Sequence, residues 1–419
     1  MTSEIDWDED LPADAEEEYQ AFLRTLERTE GFRLLFVQCT PVEGKELITK
    51  VKENLNKKTI EVLEFDEPID NLYEIVKHLP NREQINILFI QGLEHSLYEY
   101  EQTKFGEKSE RFAYSWKGVP KILNHLNLHR ERFRDSFNIC FVFLLRCFSL
   151  KYFIHRAPDF FDWRSSIFEF PTKPELLEQE SSRLIEEGDY ERYRSLTAEE
   201  KIKKILEIEE LLEEKHQTLD KKAELLREQG RIFDAAQKYK LAILAYDKAI
   251  EIKPDYDLVW VKRGNVLREL GRLEEAIASY DKAIKIKPNY RQAWVNRGNL
   301  LRELGRLEEA IASYDKAIEI RPNYRYALVN KGIALGLIGN FNQAITFFDK
   351  ALEIKADNAS AFYNKACCYA LQNNIGQAIE NLQITISLNP EKYREMAKTD
   401  NNFDAIRNHE RFQELIHNA

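Results

Sequence analysis

The sequence predicts a chain in two parts, an α/β domain built on a parallel sheet and an all-α array of stacked helix pairs. Two observations carry this expectation. Proline recurs at Pro254, Pro288, Pro322 and Pro390 on a 34-residue grid, with Ala356 the one departure. Ahead of that grid, short runs dense in β-branched and aromatic residues alternate with helical stretches. Such alternation implies parallel pairing, because parallel strands need a long crossover that is usually a helix. At 419 residues the chain has room for two or three cores.

Residues 1–12 read as an acidic flexible tail. Acidic side chains gather between Glu4 and Glu18, and the first Lys or Arg is Arg24. A segment of that composition has too little apolar surface to order itself. The α/β domain then spans 13–170. Strand signals fall at 32–39, 59–65, 85–91 and 137–145, and helical ones at 17–30, 43–55, 71–79 and 119–134. The run Ile85-Asn86-Ile87-Leu88-Phe89-Ile90 is nearly all apolar, as expected of a strand covered by helices on both sheet faces.

The first strand leads into Cys39-Thr40-Pro41-Val42-Glu43-Gly44-Lys45-Glu46, which has the frame of a phosphate-binding loop. Cys39 stands where the first glycine should let backbone N–H groups wrap an anion, and Glu46 where Ser or Thr would ligate magnesium. The third strand ends at Gln91-Gly92-Leu93-Glu94, where an acidic magnesium partner is due. The loop is degenerate, with Gly44 and Lys45 its surviving pair, so neither NTP turnover nor a bound cofactor is expected. His125 and His129 sit four apart on a predicted helix, a spacing that can place two imidazoles on one metal. No third ligand follows and no H-E-x-x-H is present, so a solvated helix face is expected and no metal. The chain has no Gly-x-Ser-x-Gly elbow, catalytic Cys/His signature or dinucleotide-binding glycine fingerprint. It is not expected to be an enzyme.

Residues 171–222, rich in Glu, Lys, Leu and Ile, form a helical connector. Its stripe of Ile202, Leu206, Ile208, Leu212 and Leu219 either packs on the first repeat or serves self-association as a short coiled coil. Five repeats fill 223–390, beginning at Ala223, Asp257, Arg291, Arg325 and Ala359. Their eighth position is Gly230, Gly264, Gly298, Gly332 and Ala366, and their twentieth is Ala242, Ala276, Ala310, Ala344 and Ala378. Small residues at both mark the crossing of two helices. Bulk sits at position four (Trp260, Trp294, Leu328, Phe362) and position twenty-four (Tyr246, Tyr280, Tyr314, Phe348, Leu382). Gly271, Gly305 and Gly339 end the first helix of their units, with Gln237 and Asn373 at the same place in the first and fifth. The segments 267–284 and 301–318 are identical, as in a duplicated unit. In 391–419 a capping helix, through Phe403, Ile406, Phe412, Leu415 and Ile416, covers the open end of the array.

This 34-residue pattern resembles the tetratricopeptide repeat, whose helix pairs stack into a superhelix. The resemblance implies a concave face lined by positions 2, 5, 6, 9, 12 and 13 of each first helix, where protein partners dock. Lys262, Asn265, Arg268, Asn296, Asn299, Arg302, Asn330 and Asn364 would line it, an asparagine ladder able to pair with an extended peptide backbone between basic flanks that suit an acidic partner. Val261, Val295 and Val329 stand where a two-carboxylate clamp needs lysine, which argues against recognition of a terminal carboxylate. The segments Phe89-Ile90-Gln91-Gly92-Leu93-Glu94, Leu126-Asn127-Leu128-His129-Arg130-Glu131, Ala157-Pro158-Asp159-Phe160-Phe161-Asp162-Trp163-Arg164-Ser165 and Phe168-Glu169-Phe170 resemble a second family. It is the degenerate P-loop, signal-transduction ATPase-like module found ahead of such repeats in bacterial, especially cyanobacterial, proteins. That likeness implies a regulatory or scaffold role. Taken by themselves, Asp159, Trp163 and Arg164 read as a helix start, a core aromatic and a salt bridge.

A net charge of −11 argues against non-specific nucleic-acid or membrane binding by the whole chain. Cys39, Cys140, Cys147, Cys367 and Cys368 lack metal-ligand spacing and lie in apolar contexts, which points to reduced thiols, a cytoplasmic location, and core or near-core places for Cys367 and Cys368. No apolar run reaches about 18 residues, so no membrane span is expected. The expected function is a non-enzymatic scaffold that binds partner peptides in the groove. The alternatives are a nucleotide-responsive switch, whose α/β domain gates the repeats, and an oligomeric structural protein assembled through the connector.

Overall fold

The computed structural model describes residues 15–97, 100, 119–170, 172–214 and 216–417; the acidic tail 1–12 lies outside them. The chain divides into two compact units, Met1–Ile252 and Lys253–Ala419.

The first unit opens with α1 (Ala15–Arg28), β1 (Arg33–Gln38), α2 (Pro41–Asn54), β2 (Ile60–Glu64), α3 (Leu72–Lys77) and β3 (Ile87–Gln91). After them come α4 (Lys121–Ser136), β4 (Cys140–Leu145), α5 (Cys147–Arg156), α6 (Pro158–Phe161) and β5 (Ser166–Glu169). All strand pairs are parallel, in the order β2-β3-β4-β1-β5. Every residue of β3 and β4 is buried, as runs covered on both faces must be. Leu35, Val37, Phe89, Val142 and Leu144 share one core with Phe22, Leu26, Leu47 and Val51 of α1 and α2. On the opposite face Phe36 stacks on Phe143 at 5.1 Å and meets the edges of Phe153 and Phe161 from α5 and α6. All four strands expected from the sequence form. The fifth was not foreseen, because four residues at a sheet edge are too short to establish an alternation.

The connector is three helices and not a single rod: α7 (Pro174–Glu186), α8 (Tyr190–Ser195) and α9 (Ala198–Glu213). Asp189 caps α8 by accepting from Arg192 N at 2.8 Å, and Thr197 opens α9 with a capping box to Glu200. Ile202, Leu206 and Ile208 are buried within the unit, where α9 packs on α5 and on the next helix, α10 (Leu219–Ala235). Leu219 is the stripe residue left exposed. α11 (Tyr239–Ile252) completes the pair with α10. The wholly buried Glu228 on α10 ties the connector down. It accepts from the Tyr193 hydroxyl of α8 at 3.1 Å and from Arg227 and Arg231, while Arg231 also donates to Gly188 O.

The second unit contains α12 (Asp257–Glu269), α13 (Leu273–Ile286), α14 (Arg291–Glu303), α15 (Leu307–Ile320), α16 (Arg325–Leu337), α17 (Phe341–Ile354), α18 (Ala359–Leu371) and α19 (Ile375–Leu388). Each first helix packs on its own second helix and on the first helix of the next pair. Gly271, Gly305 and Gly339 adopt positive φ between the helices of a pair, and Asn373 takes the same conformation at φ 59°, as does Gln237 in the first unit at 57°. The expected crossing contact needs correction. A Cβ on Gly264, Gly298 or Gly332 would lie 2.6 Å from the ring at position twenty-four (Tyr280, Tyr314, Phe348), so the glycine makes room for that ring and not for the alanine at position twenty. Trp260 and Trp294 each donate from Nε1 to the carbonyl of the preceding Pro254 or Pro288 at 2.9 Å. Arg297–Asp281, Lys331–Asp315 and Lys365–Asp349 then tie each pair to the one before it.

The expected single capping helix is α20 (Pro390–Thr399), a 3₁₀ turn (Asn401–Ile406) and α21 (Glu410–His417). Phe403, Ile406, Phe412 and Ile416 bury against Tyr363, Ala366 and Leu382, with Leu415 partly covered. Cys39, Cys140, Cys367 and Cys368 are buried free thiols and Cys147 is half-buried.

Candidate functional site

The carboxyl edge of a parallel sheet, beside a strand whose neighbours leave in opposite directions, is where open α/β sheets hold ligands. Here β1 crosses to β2 on one side and β4 passes over β1 to β5 on the other, so the edge at β1 and β4 is that place. It does not contain a phosphate loop. Only Cys39 and Thr40 separate β1 from α2, and Gly44 and Lys45 lie inside the helix. Two of the N–H groups at this helix start are already used: Glu43 N by Thr40 Oγ1 at 3.3 Å and Gly44 N by Thr40 O at 2.8 Å. Thr40 N in turn donates to Glu43 Oε2 at 3.0 Å, closing a capping box. Lys45 is exposed and pairs with Glu64 at 2.8 Å, and Glu46 pairs with Lys173. Gln91 ends β3 buried, and Gly44 sits near its side chain.

Two cavities flank Arg146 at this edge. One, of about 200 Å³, is lined by Lys45, Glu64, Gln91, Glu94 and Lys203. The other, of about 210 Å³, lies toward the connector and is lined by Glu180, Arg183, Glu207, Glu210 and Glu214. Both share Cys39, Thr40 and Pro41. Arg146 Nη1 donates to Glu210 Oε2 at 2.5 Å. Burial pushes the Glu210 carboxyl up to about 7 against the pull of Arg146, with Glu94 and Glu207 adding to the rise.

Asp159 and Trp163 meet around Arg130 at a surface cluster away from this edge, and Arg164 holds a separate ion pair. Arg130 approaches Asp159 at 3.7 Å, Arg130 and Arg134 lie over the Trp163 ring, and Arg164 pairs with Asp162 at 3.5 Å. Trp163 is half-buried and not a core residue. The His125 and His129 rings lie 4.4 Å apart, both half-buried, and burial with the neighbouring His129 holds His125 below its ordinary value. Among the described residues no group of three His, Cys, Asp or Glu converges as metal ligands.

In the second unit positions 2, 6, 9 and 13 of each first helix form one stripe, being spaced by four, three and four residues. Hydrogen bonds join stripes of successive helices. Asn296 Nδ2 donates to Asn265 Oδ1 at 2.9 Å, and Arg268, at position 12 beside its stripe, grips Glu303 through two bonds of 3.0 and 2.6 Å. Much of the asparagine ladder is thereby engaged. Asn265 Oδ1 and Asn299 Oδ1 each accept from a tyrosine hydroxyl (Tyr280, Tyr314) at 2.9 Å, Asn296 Oδ1 accepts from Gln292, and Asn364 donates to Ser360 O at 2.7 Å. Lys262 and Asn330 are half-buried on the same stripe. Arg302 Nε is buried without an acceptor. Position 5 is not part of this face: Val261, Val295 and Val329 are all buried beneath it.

Sequence reasoning missed the apolar half. Tyr326 at position 2 and Leu337 and Leu371 at position 13 are 58%, 60% and 47% exposed on the stripes of α16 and α18. The signal was present, since Gln292 and Glu303 hold those positions in the preceding pair.

Family models described as tetratricopeptide repeat match residues 223–256, 260–325 and 326–358. The chain carries tetratricopeptide repeats. The fifth pair, α18 and α19, lies beyond the matched residues but keeps the same spacing and packing. Among solved structures, the tetratricopeptide-repeat protein YrrB, described as having an unusual peptide-binding site, is 24% identical, with 42% of this chain and 90% of that one covered at a TM-score of 0.37. The type IV pilus biogenesis factor PilW is 23% identical over 46% of this chain and 90% of its own, at 0.41. PilF of Pseudomonas aeruginosa is 18% identical over 53% and 98%, at 0.43. No curated protein matches the chain. No described helix is long and apolar enough to cross a membrane.

Proposed function

We propose that this chain is a non-enzymatic protein-interaction scaffold whose tetratricopeptide repeats bind an extended peptide along the first-helix stripes of α12, α14, α16 and α18. The observation that carries the reading is the division of that face. Tyr326, Leu337 and Leu371 are exposed apolar side chains at one end, and Asn265, Asn296 and the Arg268–Glu303 pair lie at the other. Exposed apolar side chains in register on adjacent helices are the kind of patch that marks partner surfaces. Arg302, half-buried on α14, offers the rest of its guanidinium to a carboxylate of the bound peptide. The expected ligand therefore combines acidic residues with one or two large apolar ones.

Random-peptide display on the full chain tests this. Enriched peptides should contain an acidic residue a few positions from an aromatic or aliphatic one, and Leu337→Asp should weaken them by roughly tenfold or more. Failure to enrich any peptide, or enriched peptides indifferent to both Leu337→Asp and Arg302→Ala, contradicts it.

The sheet-edge cavities favour a second reading, a nucleotide-responsive domain of degenerate P-loop descent that gates the repeats. The capping box, which takes up the N–H groups of Thr40 and Glu43, weighs against it. Steady phosphate release that disappears in Lys45→Ala would replace the first reading with this one. Self-association through the connector is the weakest reading, since Leu219 is the apolar stripe residue it leaves exposed.

A further inference from the structure

The first helices of the second unit carry positive charge that their own carboxylates do not balance. Together α12, α14, α16 and α18 hold nine Lys or Arg against three Asp or Glu, whereas α13, α15, α17 and α19 hold four against ten. Several of the cations are engaged: Arg268 with Glu303, and Arg297, Lys331 and Lys365 each with an aspartate of the preceding second helix. Arg291, Arg302 and Arg325 have no carboxylate partner among the described residues. Arg291 lies over the Tyr324 ring at 5.6 Å and Arg325 over the Tyr326 ring at 4.8 Å, at the starts of α14 and α16, while Arg302 is half-buried near the end of α14. The exposed Tyr326 follows Arg325 directly, and Leu337 and Leu371 stand exposed at the far ends of α16 and α18.

One segment of the chain has the complementary composition. Glu4-Ile5-Asp6-Trp7-Asp8-Glu9-Asp10-Leu11, ahead of the described residues, sets five carboxylates among three large apolar side chains and contains no Lys or Arg. We propose that residues 4–11 of one copy of this chain bind the first-helix face of a second copy, the carboxylates toward Arg291, Arg302 and Arg325 and the apolar side chains on Tyr326 and Leu337. The dimensions agree. Eleven residues of helix separate Tyr326 from Leu337, about 16 Å at about 1.5 Å each, and the six steps from Ile5 to Leu11 span about 20 Å when extended. Because every copy carries both the segment and the face, two copies exchanging segments make the contact twice, which strengthens it without new residues. The inference rests on the peptide-binding reading and names a ligand for it, one that competes with any other partner of that face.

Sedimentation of the full chain across the micromolar range, together with fluorescence anisotropy of a labelled peptide of residues 2–13, tests it. The full chain should show a concentration-dependent mass, and Trp7→Ser, a change ahead of α1, should return it to the monomer. That Trp7→Ser chain, whose own segment no longer competes, should bind the labelled peptide with saturation. Adding Leu337→Asp or Arg302→Ala to it should weaken the peptide by roughly tenfold or more with the circular dichroism unchanged. Affinity should also fall as salt rises, since exposed charges are screened within about 8–10 Å near physiological ionic strength. A full chain that stays monomeric throughout, no saturable binding of the peptide, or binding indifferent to both groove variants would each overturn the proposal. Peptides selected by display separate its failure from that of the peptide-binding reading. If they bind through Leu337 while residues 2–13 do not bind, this inference alone falls; if neither binds, both fall.

Discussion

Gly298 faces the ring of Tyr314 so closely that even one added carbon would fall 2.6 Å from it. Gly298→Ala must therefore displace the ring or part α14 from α15, and overpacking of this kind costs about 1–3 kcal/mol. Because each pair shares an interface with the next, the melting midpoint of the full chain should drop, and Gly298→Leu should lower it further; an unchanged midpoint for both would refute the contact. The small residue was legible from the repeat, but its partner was not, since a spacing of twelve to Ala310 and of sixteen to Tyr314 both suit a helix hairpin. Glu210 supports a pH prediction of its own. Its folded carboxyl lies at about 7 against an ordinary 4.5, so the stability it contributes is complete below 4.5 and lost as pH rises through about 7. Carbon-13 NMR of labelled glutamate should show one carboxyl titrating near neutrality that vanishes in Glu210→Gln. A spectrum in which every glutamate has finished titrating by about pH 6 would contradict this.

At the scale of elements, α8 and α10 are held by the buried carboxylate of Glu228 between Tyr193, Arg227 and Arg231. Glu228→Ala strands two guanidinium groups that are 16% exposed, a loss of about 3–5 kcal/mol by the usual cost of breaking a buried pair from one side. Urea unfolding should show a clearly lower midpoint, and a shift no larger than that of a surface substitution would mean that the network does not hold the connector. The four main strands were readable because burial on both faces leaves continuous apolar runs such as 85–90, and the helices because their apolar positions recur at helical spacing. The edge strand β5 and the breaks in the connector were not, because a four-residue strand and a turn at Gly188 leave no periodic trace. The phosphate-loop frame was legible in residue type and not in backbone. Gly44-Lys45 matches the motif in residue type, but Pro41 and the Thr40 cap start the helix three residues before the glycine.

For the whole molecule, the proposed partner surface is the face of the first helices in the second unit. The asparagines that the sequence offered as peptide contacts partly serve as links between helices, and the exposed apolar side chains on α16 and α18 are the anchors proposed in their place. Half of the proposed site was thus visible as a polar ladder, while the other half depended on exposure, which no residue type announces. Hydrogen exchange of the full chain, followed by mass spectrometry with and without a display-selected peptide, tests this assignment most directly. Protection should concentrate in α14, α16 and α18 and leave α15, α17 and the sheet unchanged. Protection confined to residues 15–252, or to the second helices of the pairs, would contradict it.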